Sequence, residues 1–120
     1  VVVLKVQPLG GVRACLELAE ALELPVVVSS ALESSVGIAM GVALAAALPD
    51  QGLASGLSTV QLLGRDVTTR PLLPQDGSLP VRAVEPDALD PVDDALAVRW
   101  HARLRSVAAR AGVDVGEVLG

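Results

Sequence analysis

Apolar positions in the first part of the chain recur with two different periods. Val1-Val2-Val3-Leu4-Lys5-Val6 is an aliphatic run with one ammonium inside it, closed by Pro8 and the pair Gly10-Gly11. A short run of this kind reads as a strand buried on both faces, the type found in parallel sheets. Side chains alternate along a strand, so Val1, Val3, Lys5 and Gln7 share one face, and Val2, Leu4 and Val6 the other. From Val12 the period lengthens. Val12, Cys15, Leu16, Ala19 and Leu22 follow the spacing of an amphipathic helix, which Pro25 stops. Val26-Val27-Val28-Ser29 predicts a second buried strand, and Ser34 to Leu48 a second helix, in which Gly37, Gly41 and Ala45 form a smooth ridge able to approach a sheet closely. Leu53 to Gly56 predicts a weaker third strand, and Val60 to Leu63 the start of a short helix.

The strands begin near residues 1, 26 and 53, a strand–loop–helix unit of about 25 residues whose crossover helices force neighbouring strands to run parallel. The expected class is α/β. Each strand ends in polar or glycine residues: Lys5 and Gln7, then Ser29-Ser30, then Ser55-Gly56 with Ser58-Thr59. All three clusters fall at carboxyl ends and hence on one rim, which in a (β/α) barrel is where catalytic residues collect. Residues 1–70 are therefore read as consecutive βα units with strands near 1–7, 26–30 and 53–56. Residues 71–120 are read as a proline-rich segment followed by a C-terminal helix. Within that segment Asp76-Gly77 predicts a loose hairpin between Leu72-Leu73 and Leu79-Val81. The helix is expected from Val92 to Ala111, with Asp93 and Asp94 in its first turn, arginines in its later turns and Gly112 at its end. His101, the sole histidine, lies among those arginines and reads as an exposed bystander.

Composition narrows the possibilities. The 120 residues include one Trp and no Tyr or Phe, and the net charge is −5, which argues against stacking on bases or neutralising phosphates. Neither nucleic acid nor a membrane is expected as partner: the longest apolar run, Val36 to Leu48, is shorter than the roughly 20 residues a spanning helix needs. The single Cys15 excludes an internal disulfide and agrees with a cytoplasmic protein. With no initiating Met and a strand at its very start, the sequence is expected to be a piece of a longer chain.

Among the nine basic residues Lys5 is the one lysine, and it sits inside a predicted strand, where an unpaired charge is costly. It either snorkels to water or serves a site. Gly10-Gly11 ahead of a helix matches neither a dinucleotide fingerprint nor a P-loop, and reads as the pair that lets the strand turn. Ser30-Ala31-Leu32-Glu33 fits a capping box for the second helix. Ser29 has no nearby histidine to activate it as a nucleophile, and no acidic, histidine or cysteine cluster has metal-ligand spacing.

Two stretches carry a resemblance. Val3-Leu4-Lys5-Val6-Gln7-Pro8-Leu9-Gly10-Gly11 followed by Val27-Val28-Ser29-Ser30-Ala31-Leu32-Glu33-Ser34-Ser35-Val36-Gly37 closely resembles the C-terminal barrel portion of the o-succinylbenzoate synthases, enolase-superfamily enzymes of menaquinone biosynthesis. The resemblance runs to about residue 85 and takes in Gly56-Leu57. It implies a TIM-like (β/α)7β barrel and dehydration of 2-succinyl-6-hydroxy-2,4-cyclohexadiene-1-carboxylate, a small carboxylate substrate, with Mg²⁺. The metal's carboxylate ligands and the Lys-x-Lys base would lie upstream, in the missing N-terminal part of the barrel. Lys5 would match the lysine of the sixth strand and stabilise the enediolate-like intermediate. Ser29, Ser30, Gly56 and Leu57 would line the succinyl carboxylate, with backbone amides contributing. Two rivals stay open: an N-acylamino acid racemase or dipeptide epimerase, in which Lys5 moves protons, and a non-catalytic barrel remnant.

Overall fold

A computed structural model of the chain describes residues 1–50 and 52–116. These divide into two compact units, one from Val1 to Leu89 and one from Asp90 onward. In the first, β1 (Val2–Leu4), α1 (Val12–Leu22) and β2 (Val26–Val28) make a strand–helix–strand crossover, followed by α2 (Ser35–Ala47) and a 3-10 turn at Thr59–Leu62. The strands pair in parallel, with Val2 beside Val26, Val3 beside Val27 and Leu4 beside Val28. The α/β class expected from the two periods is the one observed.

β1 is shorter than the predicted 1–7 because its backbone turns away. The carbonyls of Lys5, Val6 and Gln7 accept from the amides of Leu9, Gly11 and Gly10. That turn needs φ of 91° at Gly10 and 119° at Gly11, angles open to glycine and closed to most side chains. The third strand is reduced to one parallel bridge, Ser29 to Gly56, in which Gly56 N donates to Val28 O and Ser30 N to Gly56 O, each at 2.9 Å. Leu53-Ala54-Ser55-Gly56 contains no β-branched or aromatic residue, and such a sequence holds extended pairing poorly.

The core lies on one face of this sheet. Leu4 and Val28 are buried with Cys15, Ile38, Val42 and Leu44 of the helices, together with Leu57, Val60 and Leu72. Fully burying an aliphatic side chain contributes about 1.5–3 kcal/mol. On the opposite face Val1 is 75% exposed and Val3 57%. The expectation of a strand buried on both faces is thus not met within these residues, because both helices pack on one side. The glycine ridge of α2 does allow close approach: a Cβ at Gly41 would lie 2.6 Å from Leu57 Cδ2.

The start of α2 departs from the capping box. Ser34 is the N-cap and makes no side-chain cap, Glu33 Oε1 accepts from Ala31 N at 2.7 Å, and Ser30 Oγ is engaged elsewhere. The helix is capped from a distance by Asp66. Its Oδ1 accepts from Ser35 N at 3.0 Å and Val67 N at 2.8 Å, and its Oδ2 accepts from Ser35 Oγ. Ser35, wholly buried, accepts in turn from Leu72 N at 2.7 Å. A carboxylate at this end complements both the free amides and the helix dipole. Burial alone would raise the pKa of Asp66, but the hydroxyl and amide of Ser35 and the amide of Val67 outweigh it and hold it below its ordinary value.

The proline-rich stretch folds around comparable ties. Asp76 (φ 48°) and Gly77 (φ 77°) form the tip of the expected hairpin, whose pairing is the single bridge of Gln75 with Ser78. Asp87 accepts from the amide and hydroxyl of Thr69 at 2.6 and 2.7 Å, which hold its carboxyl down to about 2. In the second unit, α3 spans Asp94–Ala111. It starts two residues beyond the predicted Val92 because Asp93 takes the cap, accepting from Leu96 N at 3.1 Å, and it ends at Gly112 (φ 68°) as expected. Arg103 lies over the Trp100 ring, and His101 is exposed.

Asp66→Ala leaves a buried hydroxyl and a helix-terminal amide without their acceptor, and is expected to lower stability by about 1–3 kcal/mol. Because the folded pKa is depressed, this contribution is present above the unfolded carboxylate value and is lost as pH falls through the lowered folded value. Urea unfolding of wild type and variant across that acid range checks both: the two curves converge at the acid end.

Candidate functional site

Parallel pairing brings the carboxyl ends of β1, β2 and the Gly56 bridge to one edge, and the sequence places its polar residues there. By strand alternation Lys5 follows Val3, and Ser29 follows Val27, onto the face that the helices leave open. Lys5 is half-buried. Its Nζ donates to the carbonyl of Ser30 and, at 3.5 Å, to Ser29 Oγ. Ser29 Oγ donates to the same carbonyl at 3.2 Å. One backbone oxygen therefore receives both an ammonium and a hydroxyl, and Lys5, one residue beyond β1, is paired across the sheet edge.

Ser30 faces inward and is 5% exposed. Its Oγ donates to Gly56 O at 3.0 Å and accepts from Thr59 Oγ1 at 2.9 Å. Gly56 is exposed, and a Cβ built on it would lie 3.5 Å from Ser29 Oγ, so the glycine keeps the space beside that hydroxyl open. Of the residues singled out in the sequence, Lys5, Ser29, Ser30 and Gly56 come together at this edge. The Leu57 side chain goes into the core beneath Gly41, leaving only its backbone on the rim side. Gln7, expected on the same face as Lys5, reaches α2 and donates to Gly37 O at 3.2 Å.

Two further groups shape the surroundings. Cys15 is fully buried, its Sγ lies 4.0 Å from Lys5 O, and burial pushes the thiol up. Glu33 Oε2 is shielded from solvent without a partner among the described residues. Sequence reasoning included Thr59 only as one of several rim residues and did not find Asp66 at all. A hydroxyl three residues beyond Gly56 was the visible signal for the first; the second is a partner 31 residues from Ser35 that no local pattern announces.

A groove of about 770 Å³ in the first unit opens at the opposite end of the strands, between Val1, Val26, Leu53 and the last turns of α1 and α2. Its ionisable groups are Glu20 and Glu23, and it includes none of the rim residues. The convergent polar groups lie at the other edge of the sheet, and such groups are what mark a binding site. Among the described residues no three His, Cys, Asp or Glu side chains gather as a metal site, and no helix is long and apolar enough to cross a membrane. What the edge can do is electrostatic: a fixed ammonium on an open apolar face favours a ligand that carries or develops negative charge.

No family model matches the chain. Several curated proteins do. The chain is 60% identical over 115 residues to an o-succinylbenzoate synthase of Thermobifida fusca (strain YX), an alignment covering 92% of this chain and 35% of that protein. It is 54% identical over 87 residues to the o-succinylbenzoate synthase of Mycobacterium leprae (strain TN), covering 72% of this chain and 26% of the relative. The protein of the same name from Mycobacterium tuberculosis (strain ATCC 25177 / H37Ra) is 52% identical over 87 residues. The chain thus spans about a third or less of the length of the curated relatives it matches.

The two serines are expected to respond differently to removal of their hydroxyls. Ser30→Ala strips a buried oxygen from two hydrogen bonds and is expected to cost about 1–3 kcal/mol, whereas Ser29→Ala, at a half-exposed position, is expected to cost less than about 1 kcal/mol. Midpoints of urea unfolding for the two variants provide the comparison.

Proposed function

The chain is homologous to a segment of the o-succinylbenzoate synthases, and on that premise we propose that it forms part of a lyase dehydrating 2-succinyl-6-hydroxy-2,4-cyclohexadiene-1-carboxylate to 2-succinylbenzoate, a cytoplasmic step of menaquinone biosynthesis. The observation that carries the reading is the Lys5 ammonium, held by Ser29 and Ser30 at the carboxyl edge of a parallel sheet whose adjoining face is open. In this reading residues 1–70 are the last βα units of a (β/α)7β barrel, and residues 71–120 are a proline-rich segment with a C-terminal helix. The exposed Val1 and Val3 would then look into the barrel interior. Three features support it: parallel pairing, a third segment joined in the same sense at Gly56, and helices on one side of the sheet.

The reaction removes a ring proton beside the carboxylate and expels the neighbouring hydroxyl with a proton as water, leaving an aromatic ring. Charge builds on the carboxylate as the proton leaves, so a fixed cation in a dry pocket lowers the barrier. Lys5 supplies that cation, and its aliphatic stem and charge also suit the face of a ring. Ser29, with the backbone at Ser30, Gly56 and Leu57, lines the succinyl carboxylate. Mg²⁺, when bound in the complete protein, supplies further neutralisation of the substrate carboxylate. The described residues of this segment do not fit it, and its ligands are assigned to the rest of the protein.

The test is turnover by the complete protein containing this segment. Wild type is expected to dehydrate the substrate, and Lys5→Ala to lose at least about 10²–10³-fold in kcat, the scale set by removing one preorganised charge-stabilising donor. Racemisation of N-acylamino acids without dehydration would move the protein to the racemase reading. Absence of both activities would favour the non-catalytic remnant.

A further inference from the structure

Lys5 is held by a carbonyl, and a carbonyl holds a cation in place only as firmly as the residue that bears it is fixed. Ser30 is fixed from the far side of the strand, and the N–H of the peptide that carries its carbonyl, Ala31 N, donates to Glu33 Oε1 at 2.7 Å. The Ser30 amide donates to Gly56 O at 2.9 Å, its hydroxyl donates to the same oxygen at 3.0 Å, and Thr59 Oγ1 donates to that hydroxyl at 2.9 Å. A continuous path of hydrogen bonds therefore runs from Thr59 through the Ser30 side chain and Gly56, while the Ser30 carbonyl faces Lys5 Nζ and Ser29 Oγ. Thr59 opens the 3-10 turn Thr59–Leu62, whose next residue, Val60, is 4% exposed in the core. The donor at the head of the path is thus anchored in packed structure.

From this we infer that Thr59 is a positioning residue for Lys5, acting through Ser30 and touching neither substrate nor Lys5 itself. The inference rests on the reading of Lys5 given above and goes beyond it by assigning a residue outside the rim contacts. Removing the Thr59 hydroxyl leaves the buried Ser30 oxygen without its donor, held only by its own bond to Gly56 O. Ser30 then loses a restraint on its side chain, and the carbonyl that holds the ammonium is less firmly placed. Displacements of about 1 Å in a catalytic group cost up to about 10²-fold in rate.

Three forms of the complete protein separate this from a general packing role: wild type, Thr59→Val, which keeps the shape, and Thr59→Ser, which keeps the hydroxyl. Thr59→Val is expected to lower kcat and kcat/KM together by on the order of 10- to 100-fold, with KM within about twofold, as for an interaction made in the transition state. Thr59→Ser is expected to stay within about threefold of wild type in kcat. A rise in KM at unchanged kcat would assign Thr59 to the carboxylate subsite and overturn the inference. Equal loss in Thr59→Ser would do the same, because the methyl group and not the hydroxyl would then matter. Should wild type fail to dehydrate the substrate, the functional reading falls, yet the positioning claim is still decided by crystal structures of wild type and Thr59→Val. A Ser30 carbonyl turned away from Lys5 Nζ in the variant supports it, and an unchanged contact overturns it.

Discussion

Parallel pairing is the constraint on which the rest depends. Two strands joined by a crossover helix must end at the same edge, so whatever follows β1 and β2 in the sequence is brought side by side. Lys5 follows the first and Ser29-Ser30 the second, which is why a cation and its two acceptors meet although 24 and 25 residues separate them. The bridge at Gly56 adds a third strand end to the same edge. Antiparallel pairing of the same segments would have sent these groups to opposite ends, and the ammonium would have had no partner across the sheet.

The two faces of the sheet divide the work. The inward face, through Leu4, Val28 and the side chains of α1 and α2, supplies burial energy and holds the strands rigid. The outward face carries Val3, Lys5, Val27 and Ser29, and among the described residues of the first unit no helix packs against it. Ser30 belongs to the inward face by its side chain and to the site by its carbonyl. It is the residue that joins the packed face to the candidate site, and Thr59 and Gly56 bond its side chain from within.

Much of this was legible in the residues. The change of period at Val12, the stop at Pro25 and the polar endings of each strand predict the crossover and the edge that Lys5 occupies. The β-branched run Val26-Val27-Val28 predicts β2 directly. Extents were less legible, because they depend on partners. β1 ends at Leu4 since the next three carbonyls are taken by a turn closing on Gly10-Gly11. Burial on both faces is not met among the described residues for a related reason: an aliphatic run records that a face is apolar, not which element covers it. The capping box is not formed because the Ser30 oxygen accepts from Thr59 Oγ1 while its hydroxyl donates to Gly56 O, and because Asp66, far along the chain, already serves the amide of Ser35. Of the candidate site, Lys5, Ser29, Ser30 and Gly56 could be read as one rim, whereas the inward turn of Leu57 and the link from Thr59 depend on a bridge of one residue that no period reveals.

The central claim is that a carboxylate-bearing ring lies on the open face with Lys5 against it. It is tested most directly by a crystal structure of the complete protein with 2-succinylbenzoate bound. The account predicts the ring within contact of Lys5 Nζ and the succinyl carboxylate beside Ser29 and the Gly56 backbone. A product molecule bound in the groove near Glu20 and Glu23, with Lys5 untouched, would contradict it.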